Sequence, residues 1–339
     1  MKKLLSVFAL IFALCLVTGC GDKEVEYKLG MGVVVSLDST ADTKGQIDAT
    51  VVTVVTNAEG KIVKARLDAV QNKATIGEAI EITNLETKQE LKERYGMAGK
   101  VDNNGDGIKL EWFEQALAYE KYLEGKTLAD VKAFETQFVN NHYISTDEAL
   151  LNAGCTIQVT DFNAATVLAL EDAQAFTFKT SKEFTLGLAA TSYDSGSTAA
   201  TAEANGALQI YSDFAASVVV DGKIVASLND AIQPKVTFDV EGKIVEKTFK
   251  NTKRVLKEEY GMAGKVDNNG DGIKLEWYIQ SMAFSKYVVG KTAAEVAALE
   301  TTLVNNHYIS TDEALLNAGC TIQITGIQAV VAKSVNNAR

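Results

Sequence analysis

The chain has 339 residues, 47% of them hydrophobic, enough for about two domains that each bury a core. A net charge of −11 and a pI near 4.9 oppose binding to nucleic-acid phosphates, so no nucleic-acid partner is expected. The single proline, Pro234, excludes Pro-rich stalks.

At the N-terminus, Lys2 and Lys3 precede an apolar run, Leu4 to Val17, and then Thr18-Gly19-Cys20. The run is too short and too early for an ordinary spanning helix. It resembles a bacterial lipoprotein signal, with Val17-Thr18-Gly19 ahead of a lipidated Cys20. That resemblance implies a signal peptide over 1–19 and a lipidated tether over 20–25, held at the extracellular face of the cell membrane. Two acyl chains, of the palmitate type, anchor stably where one does not. A plain secretory signal with an incidental cysteine is the alternative.

The next segments read as β structure: Val51 to Val55 is strand-like. Thr87-Lys88-Gln89-Glu90 is a capping box opening a helix toward Tyr95. Asp102-Asn103-Asn104-Gly105-Asp106-Gly107 has oxygens at positions one, three and five and glycine at six, the opening of an EF-hand loop. Candidate Ca²⁺ ligands are Asp102, Asn104 and Asp106. Position twelve is Phe113 rather than glutamate, and Glu111 stands at ten, so an Asn/Asp/Gly turn capping the next helix is the competing reading. Trp112, Ala116, Tyr119 and Leu123 recur at helical spacing, with Gly125 as the stop. Thr127 to Asp130 caps a further helix with the stripe Val131, Phe134 and Phe138. Ser145 with Glu148 caps a third, Thr146 to Asn152. Gly154 follows where a left-handed residue is wanted. Ile157 and Val159 alternate with polar neighbours, so a strand is expected at once, leaving Thr156 at a helix-to-strand corner with a reachable hydroxyl.

Most of this recurs 165 residues later. Tyr95-Gly96-Met97 returns as Tyr260-Gly261-Met262, Trp112 as Trp277, His142 as His307 and Cys155 as Cys320; Asp267, Asn269 and Asp271 repeat the calcium-like oxygens. The front halves match more weakly: Leu29-Gly30-Met31 corresponds to Leu186-Gly187-Leu188, Ala216 to Val220 is strand-like, and Asp221-Gly222 is a tight hairpin turn. Ala190–Asn205 reads as an inserted loop. The fold class expected is α+β: two tandem homologous domains, 26–171 and 172–339, each a mainly antiparallel sheet packed with helices.

Val139–Gln158 and Val304–Gln323 are identical over their full length although other parts of the two copies have diverged heavily. A reader outside the fold would keep them the same; recent copying is the alternative. One cysteine per copy excludes a disulfide within a copy. Cys155 and Cys320 read as small packing residues, with a catalytic thiol as a minor reading.

Gly154-Cys155-Thr156 and Gly319-Cys320-Thr321 resemble the Gly-Ala-Thr core of FMN-binding domains, in which a flavin transferase joins FMN to the threonine oxygen through a phosphoester. The resemblance extends to Glu111-Trp112-Phe113, Glu276-Trp277-Tyr278 and the Gly-Lys-Thr helix starts at Gly125 and Gly290. With the lipobox, the whole chain is similar to the Gram-positive peptide-pheromone lipoprotein A group, flavinylated lipoproteins of extracellular electron transfer. Where that pattern carries an acid and a hydroxyl residue, this chain has Leu150/Leu315 and Ala153/Ala318; its acids are Asp147/Asp312 and Glu148/Glu313.

The resemblance implies FMN on Thr156 and Thr321, with Gly154 and Gly319 admitting a pyrophosphate donor and Cys155 and Cys320 too small to block it. The ring needs an aromatic or apolar bed; Trp112, Phe113, Tyr143 and Trp277, Tyr278, Tyr308 are candidates, each also a candidate core residue. His142 and His307 could touch the flavin or simply be satisfied histidines. The expected role is an electron carrier, not an enzyme: electrons from a membrane quinone-linked donor pass to extracellular acceptors. The alternative is a calcium-stabilised surface adhesion lipoprotein without redox role. In that group the leader can also yield a pheromone, here from Val7–Val17.

Overall fold

A computed structural model of the chain describes residues 23–100, 107–139, 141–172, 174–265 and 273–339. The lipobox with Cys20 and the six calcium-like ligands lie outside them. Among the described residues no helix is long and apolar enough to cross a membrane.

The fold is α+β, and every strand pairing is antiparallel. In the first half, β1 (Val25–Ser36), β2 (Lys44–Asn57), β3 (Ile62–Thr75) and β4 (Glu81–Asn84) form a meander, followed by α1 (Lys88–Leu91), α2 (Trp112–Leu123) and α3 (Leu128–Lys132). A hairpin of β5 (Thr136–Val139) and β6 (His142–Ser145) leads to α4 (Glu148–Asn152) and α5 (Thr160–Leu170). The second half begins with β7 (Phe176–Thr180), which joins the first half's sheet beside β1 and makes its order β4-β3-β2-β1-β7. Then β8 (Thr185–Asp194), β10 (Ile210–Val220) and β11 (Lys223–Ile232) form a second sheet. A third, small sheet holds β9 (Gly206–Leu208), β12 (Lys235–Phe238) and β13 (Ile244–Thr248). The helical part repeats as α6 (Lys253–Leu256), α7 (Trp277–Tyr287), α8 (Ala293–Ala297), β14 (Thr301–Val304), β15 (His307–Ser310), α9 (Glu313–Asn317) and α10 (Thr325–Asn336).

Strand alternation sorts the apolar residues into three cores. On one face of the first sheet, Val52, Val54 and Leu67 pack with Trp112, Tyr119 and Phe162 of α2 and α5. On the matching face of the second, Ile224 and Ala231 pack with Trp277, Phe284 and Val330 of α7 and α10. The opposite faces meet in a common interior, where Leu29, Met31, Val51 and Val70 join Leu188, Phe214, Val218 and Leu228. On one side β3, beyond the short β4, lies against the edge strand β8, and on the other the edges β7 and β11 meet, so the two sheets form a flattened barrel with the helices outside.

Glycine sets the approach of the long helices. A Cβ on Gly30 or Gly32 would lie 2.1 or 2.2 Å from a carbonyl oxygen of α5, Ala169 O or Ala165 O, and one on Gly187 would lie 1.8 Å from Ser334 O of α10. These strand positions face a helix backbone directly, and no larger residue fits.

Several sequence expectations hold. The capping boxes at Thr87/Glu90 and Thr127/Asp130 are formed. All four residues of the Trp112 stripe are buried on α2. Asp221 and Gly222 make the β10–β11 turn with φ of 49° and 76°.

Others are corrected. No strand follows Thr156: the chain enters α5, whose buried stripe Phe162, Ala165, Thr166 and Ala169 has helical spacing and outweighs the short alternation at Ile157–Val159. Phe138 is not on a helix stripe; α3 stops at Lys132 and Phe138 lies on β5, 61% exposed. The signal overlooked was Asn-Asn between β-prone residues, a pair suited to the positive φ of a two-residue hairpin turn, with Asn305 at 52° and Asn306 at 64°. The cap of α4 is Asp147, not Ser145, whose hydroxyl accepts the Asp147 N–H instead. The supposed insertion Ala190–Asn205 is strand up to Asp194, because Thr191, Ser192 and Tyr193 pair with β10.

Gly187→Ala is expected to destabilise the protein by about 3 kcal/mol, the upper end of ordinary overpacking. Gly222→Asn, at an open turn position, costs far less. Guanidinium chloride unfolding of both variants checks the contrast.

Candidate functional site

Thr156 and Thr321 are exposed, each in the extended link between a short helix and a long one. The preceding glycines adopt left-handed φ, 95° at Gly154 and 92° at Gly319. The left-handed φ favours glycine, and a Cβ there would also displace the Leu110 or Leu275 side chain, whose Cδ1 lies at 2.4 or 2.5 Å. The cysteines next to them point inward and are fully buried. Burial pushes both thiols up to about 12, which removes them as nucleophiles near neutral pH and supports the packing role.

The structure adds a residue pair that the sequence reading missed. Gln115 on α2 and Gln280 on α7 are buried, and each amide oxygen accepts the backbone N–H of the candidate threonine at 2.8 Å. The same oxygen accepts the hydroxyl, at 3.4 Å from Thr156 and 3.2 Å from Thr321. The amide nitrogens donate to Leu110 O at 3.0 Å and Leu275 O at 2.8 Å. One side chain therefore ties the turn to the helix, and its neutral oxygen holds the hydroxyl without deprotonating it. The signal was present as Glu-Trp-x-x-Gln in both copies.

Glu111 and Glu276 are also engaged. Their carboxylates accept the N–H groups of Met97 and Ala98, and of Met262 and Ala263, at 2.9 and 3.0 Å in each half. They anchor the Gly-Met-Ala turn ahead of the calcium-like segment. That segment's Asp102, Asn104, Asp106, Asp267, Asn269 and Asp271 fall outside the described residues. Among the described residues no group of three or more acidic, His or Cys side chains is arranged to hold a metal ion.

The aromatic candidates separate by burial. Trp112 and Trp277 are 3% exposed and belong to the sheet–helix cores, so neither offers a free face to a ring at the surface. Tyr143 and Tyr308 are 48% exposed on the hairpins, and His142 and His307 beside them are exposed as well. The hairpins adjoin the threonine links, since Val159 N donates to Tyr143 O and Ile324 N to Tyr308 O. Phe113 and Tyr278 are half-buried on the helix that carries the glutamine. Asp147 and Asp312 cap α4 and α9 and accept Tyr122 Oη at 2.8 Å and Tyr287 Oη at 2.6 Å. Those hydrogen bonds are the leading cause that holds both carboxyls below the ordinary range.

Behind the second threonine's helix lies an unusual cluster. Lys253 is 7% exposed, with its ammonium 4.6 Å from the ring centres of Tyr211 and Tyr260 and 5.7 Å from that of Trp277. Burial lowers it to about 8, opposed by Asp213 and Asp230. Asp213 is itself 2% exposed, and burial raises it to about 7.

No protein-family model matches the chain, and neither the curated proteins nor the solved structures contain one that is significantly similar to it.

Two outcomes follow from these environments. In the folded protein neither Cys155 nor Cys320 is alkylated at mildly alkaline pH, whereas both react once guanidinium chloride unfolds the chain; peptide mass spectrometry reads both states. The folded state also holds the Asp213 proton more tightly than the unfolded chain does. Stability contributed by this group is therefore full below about pH 4 and declines as pH rises through about 7. Asp213→Asn flattens that slope, as measured by unfolding at a series of pH values.

Proposed function

We propose that Thr156 and Thr321 are acceptors for covalently attached FMN, and that the chain is a lipid-anchored extracellular electron carrier of the peptide-pheromone lipoprotein A type. A flavin transferase supplies the chemistry of attachment. The threonine oxygen attacks the FMN-side phosphorus of a flavin dinucleotide, the pyrophosphate P–O bond breaks and the nucleoside monophosphate leaves. The hydroxyl proton goes to a base on the transferase, because Gln115 and Gln280 are too weakly basic to take it.

The observation that most supports this reading is the paired turn: two exposed threonines, each after a left-handed glycine and each pinned by a buried glutamine, inside segments identical between the halves. Packing accounts for the buried Cys155, Cys320, Leu150 and Leu315 but not for the sameness of exposed Asn152, Ala153, Thr156 and Gln158 and their counterparts. A modifying enzyme that reads both surfaces would account for it. Once attached, each flavin accepts electrons from a quinone-linked donor in the membrane to which Cys20 tethers the chain, and passes them to extracellular acceptors. The phosphoester keeps a dissociable redox group from diffusing away.

Protein from a host that contains the transferase is expected to be yellow, and the peptides around Thr156 and Thr321 are each expected to carry FMN by mass spectrometry. Thr156→Ala and Thr321→Ala each remove half of the flavin absorbance, and the double variant is colourless. Bare threonines in that host reject the proposal.

A further inference from the structure

A groove of about 770 Å³ runs along the outer side of α7. One wall is the helix face Tyr278, Ile279, Met282 and Tyr287; the other is the connection between the halves, including Phe176 at the start of β7. Ala318, the residue before Gly319-Cys320-Thr321, lines it as well. We infer that this groove receives the isoalloxazine ring of the flavin carried by Thr321, so that the two flavins of the chain occupy unlike environments. The inference rests on the attachment proposed above and adds where one ring lies.

Three observations support it. The volume is within the range of small-molecule sites, and the walls are mainly apolar and aromatic with few polar groups, the composition a flat heteroaromatic ring calls for. The aromatic walls are held in place: Tyr278 Oη donates to Glu258 at 2.8 Å and Tyr287 Oη to Asp312 at 2.6 Å. Asp312 in turn caps α9, which ends at the Gly319 turn, so wall and attachment point are mechanically linked. Ala318 on the groove wall lies only three residues before Thr321, within the reach of the ribityl phosphate attached there.

The corresponding helix face of the first half differs in its chemistry. On α2 the residues corresponding to Tyr278, Ile279 and Met282 are Phe113, Glu114 and Leu117. Leu117 keeps the apolar character of Met282, and Lys121 matches the Lys286 that lines the groove. The chemical change is Glu114 in place of Ile279, with its carboxylate accepting the Glu111 N–H at 2.9 Å. The far wall is the connection that enters the second half, to which Phe176 belongs; the chain that enters the first half before Lys23 lies outside the described residues. A reduced flavin carries negative charge on its pyrimidine edge, which a lysine stabilises and a carboxylate opposes. Both helices offer the lysine, but only α2 sets a carboxylate on the same face. The ring on Thr321 is thus the easier one to reduce, and within one chain electrons pass from the flavin on Thr156 to that on Thr321.

The test compares single-flavin proteins, Thr156→Ala and Thr321→Ala, each loaded by the transferase in its host. The flavin on Thr321 is expected to show several-fold weaker emission, from quenching by the tyrosine walls, and a higher midpoint potential than the flavin on Thr156. Ile279→Glu installs the residue of the first half at a position already 37% exposed; it should restore emission and lower the potential of the Thr321 flavin. Met282→Arg, which fills the groove, should restore emission. Equal emission and potential at the two sites, or no response to either substitution, overturns the inference while leaving attachment intact. Mass spectrometry separates the other case: a Thr321 peptide without FMN rejects the attachment itself, and the placement of its ring with it.

Discussion

The common interior of the two sheets is the constraint on which the rest of the structure depends. Each long strand has one face there and the other against helices of its own half, so a one-residue slip in register would exchange every inward side chain for an outward one. With the inner faces taken up by each other, both helical layers are driven outward. The links that carry Thr156 and Thr321 go with them to the surface. Exposure of the two threonines is thus a consequence of how the barrel fills, while their local shape comes from the turns themselves.

Those turns are built the same way in both halves although their surroundings differ. Glycine supplies the left-handed bend, leucine at 110 or 275 fills the space a side chain would need, and glutamine at 115 or 280 ties the link to the helix. The glutamine amide is satisfied on both sides, by a carbonyl and by the threonine N–H. A substitution that removed it would leave buried groups unpaired at a cost of about 1–3 kcal/mol. Such a turn presents its hydroxyl in one orientation, which suits an acceptor that another protein must recognise.

Charge is distributed differently beneath the two turns. In the second half Asp213, on a strand, faces Lys253, and Gly326 on α10 leaves the room: a Cβ there would lie 2.3 Å from Asp213 Oδ2. In the first half the helix position of Gly326 is Asp161, whose carboxyl is raised by burial and by Asp48 and lowered by Lys88. A lysine stacked near tyrosine and tryptophan is retained in both, with Lys88 lying 4.9 Å from the Tyr95 ring and 5.4 Å from that of Trp112. The carboxylate opposite it has moved from helix to strand. Ions tie the halves as well: Glu120 on α2, paired with Arg66 of its own half, also accepts Arg339 at 2.9 Å, and Glu90 pairs with Lys333 of α10.

The local chemistry was legible in the sequence because it rests on contacts a few residues apart. Capping boxes at Thr87 and Thr127, the left-handed Gly154, the buried Trp112 stripe and the Asp221-Gly222 turn all follow from residue type and short spacing. The duplication was equally plain, and with it the pairing of Thr156 with Thr321. Tertiary contact decided the rest. Ile157–Val159 alternates like a strand but finds no ladder there, whereas the stripe from Phe162 to Ala169 finds a sheet lined by Gly30 and Gly32. Phe138 fits a helix stripe by spacing alone, but β5 pairs with β6 and places it on a hairpin strand. Gln115 reaches Thr156 across 41 residues, β7 crosses into the first half's sheet, and the groove beside α7 exists only because the connection between the halves passes there. Helix caps and turns are written in neighbouring residues; partners brought together by the folding of distant segments are not.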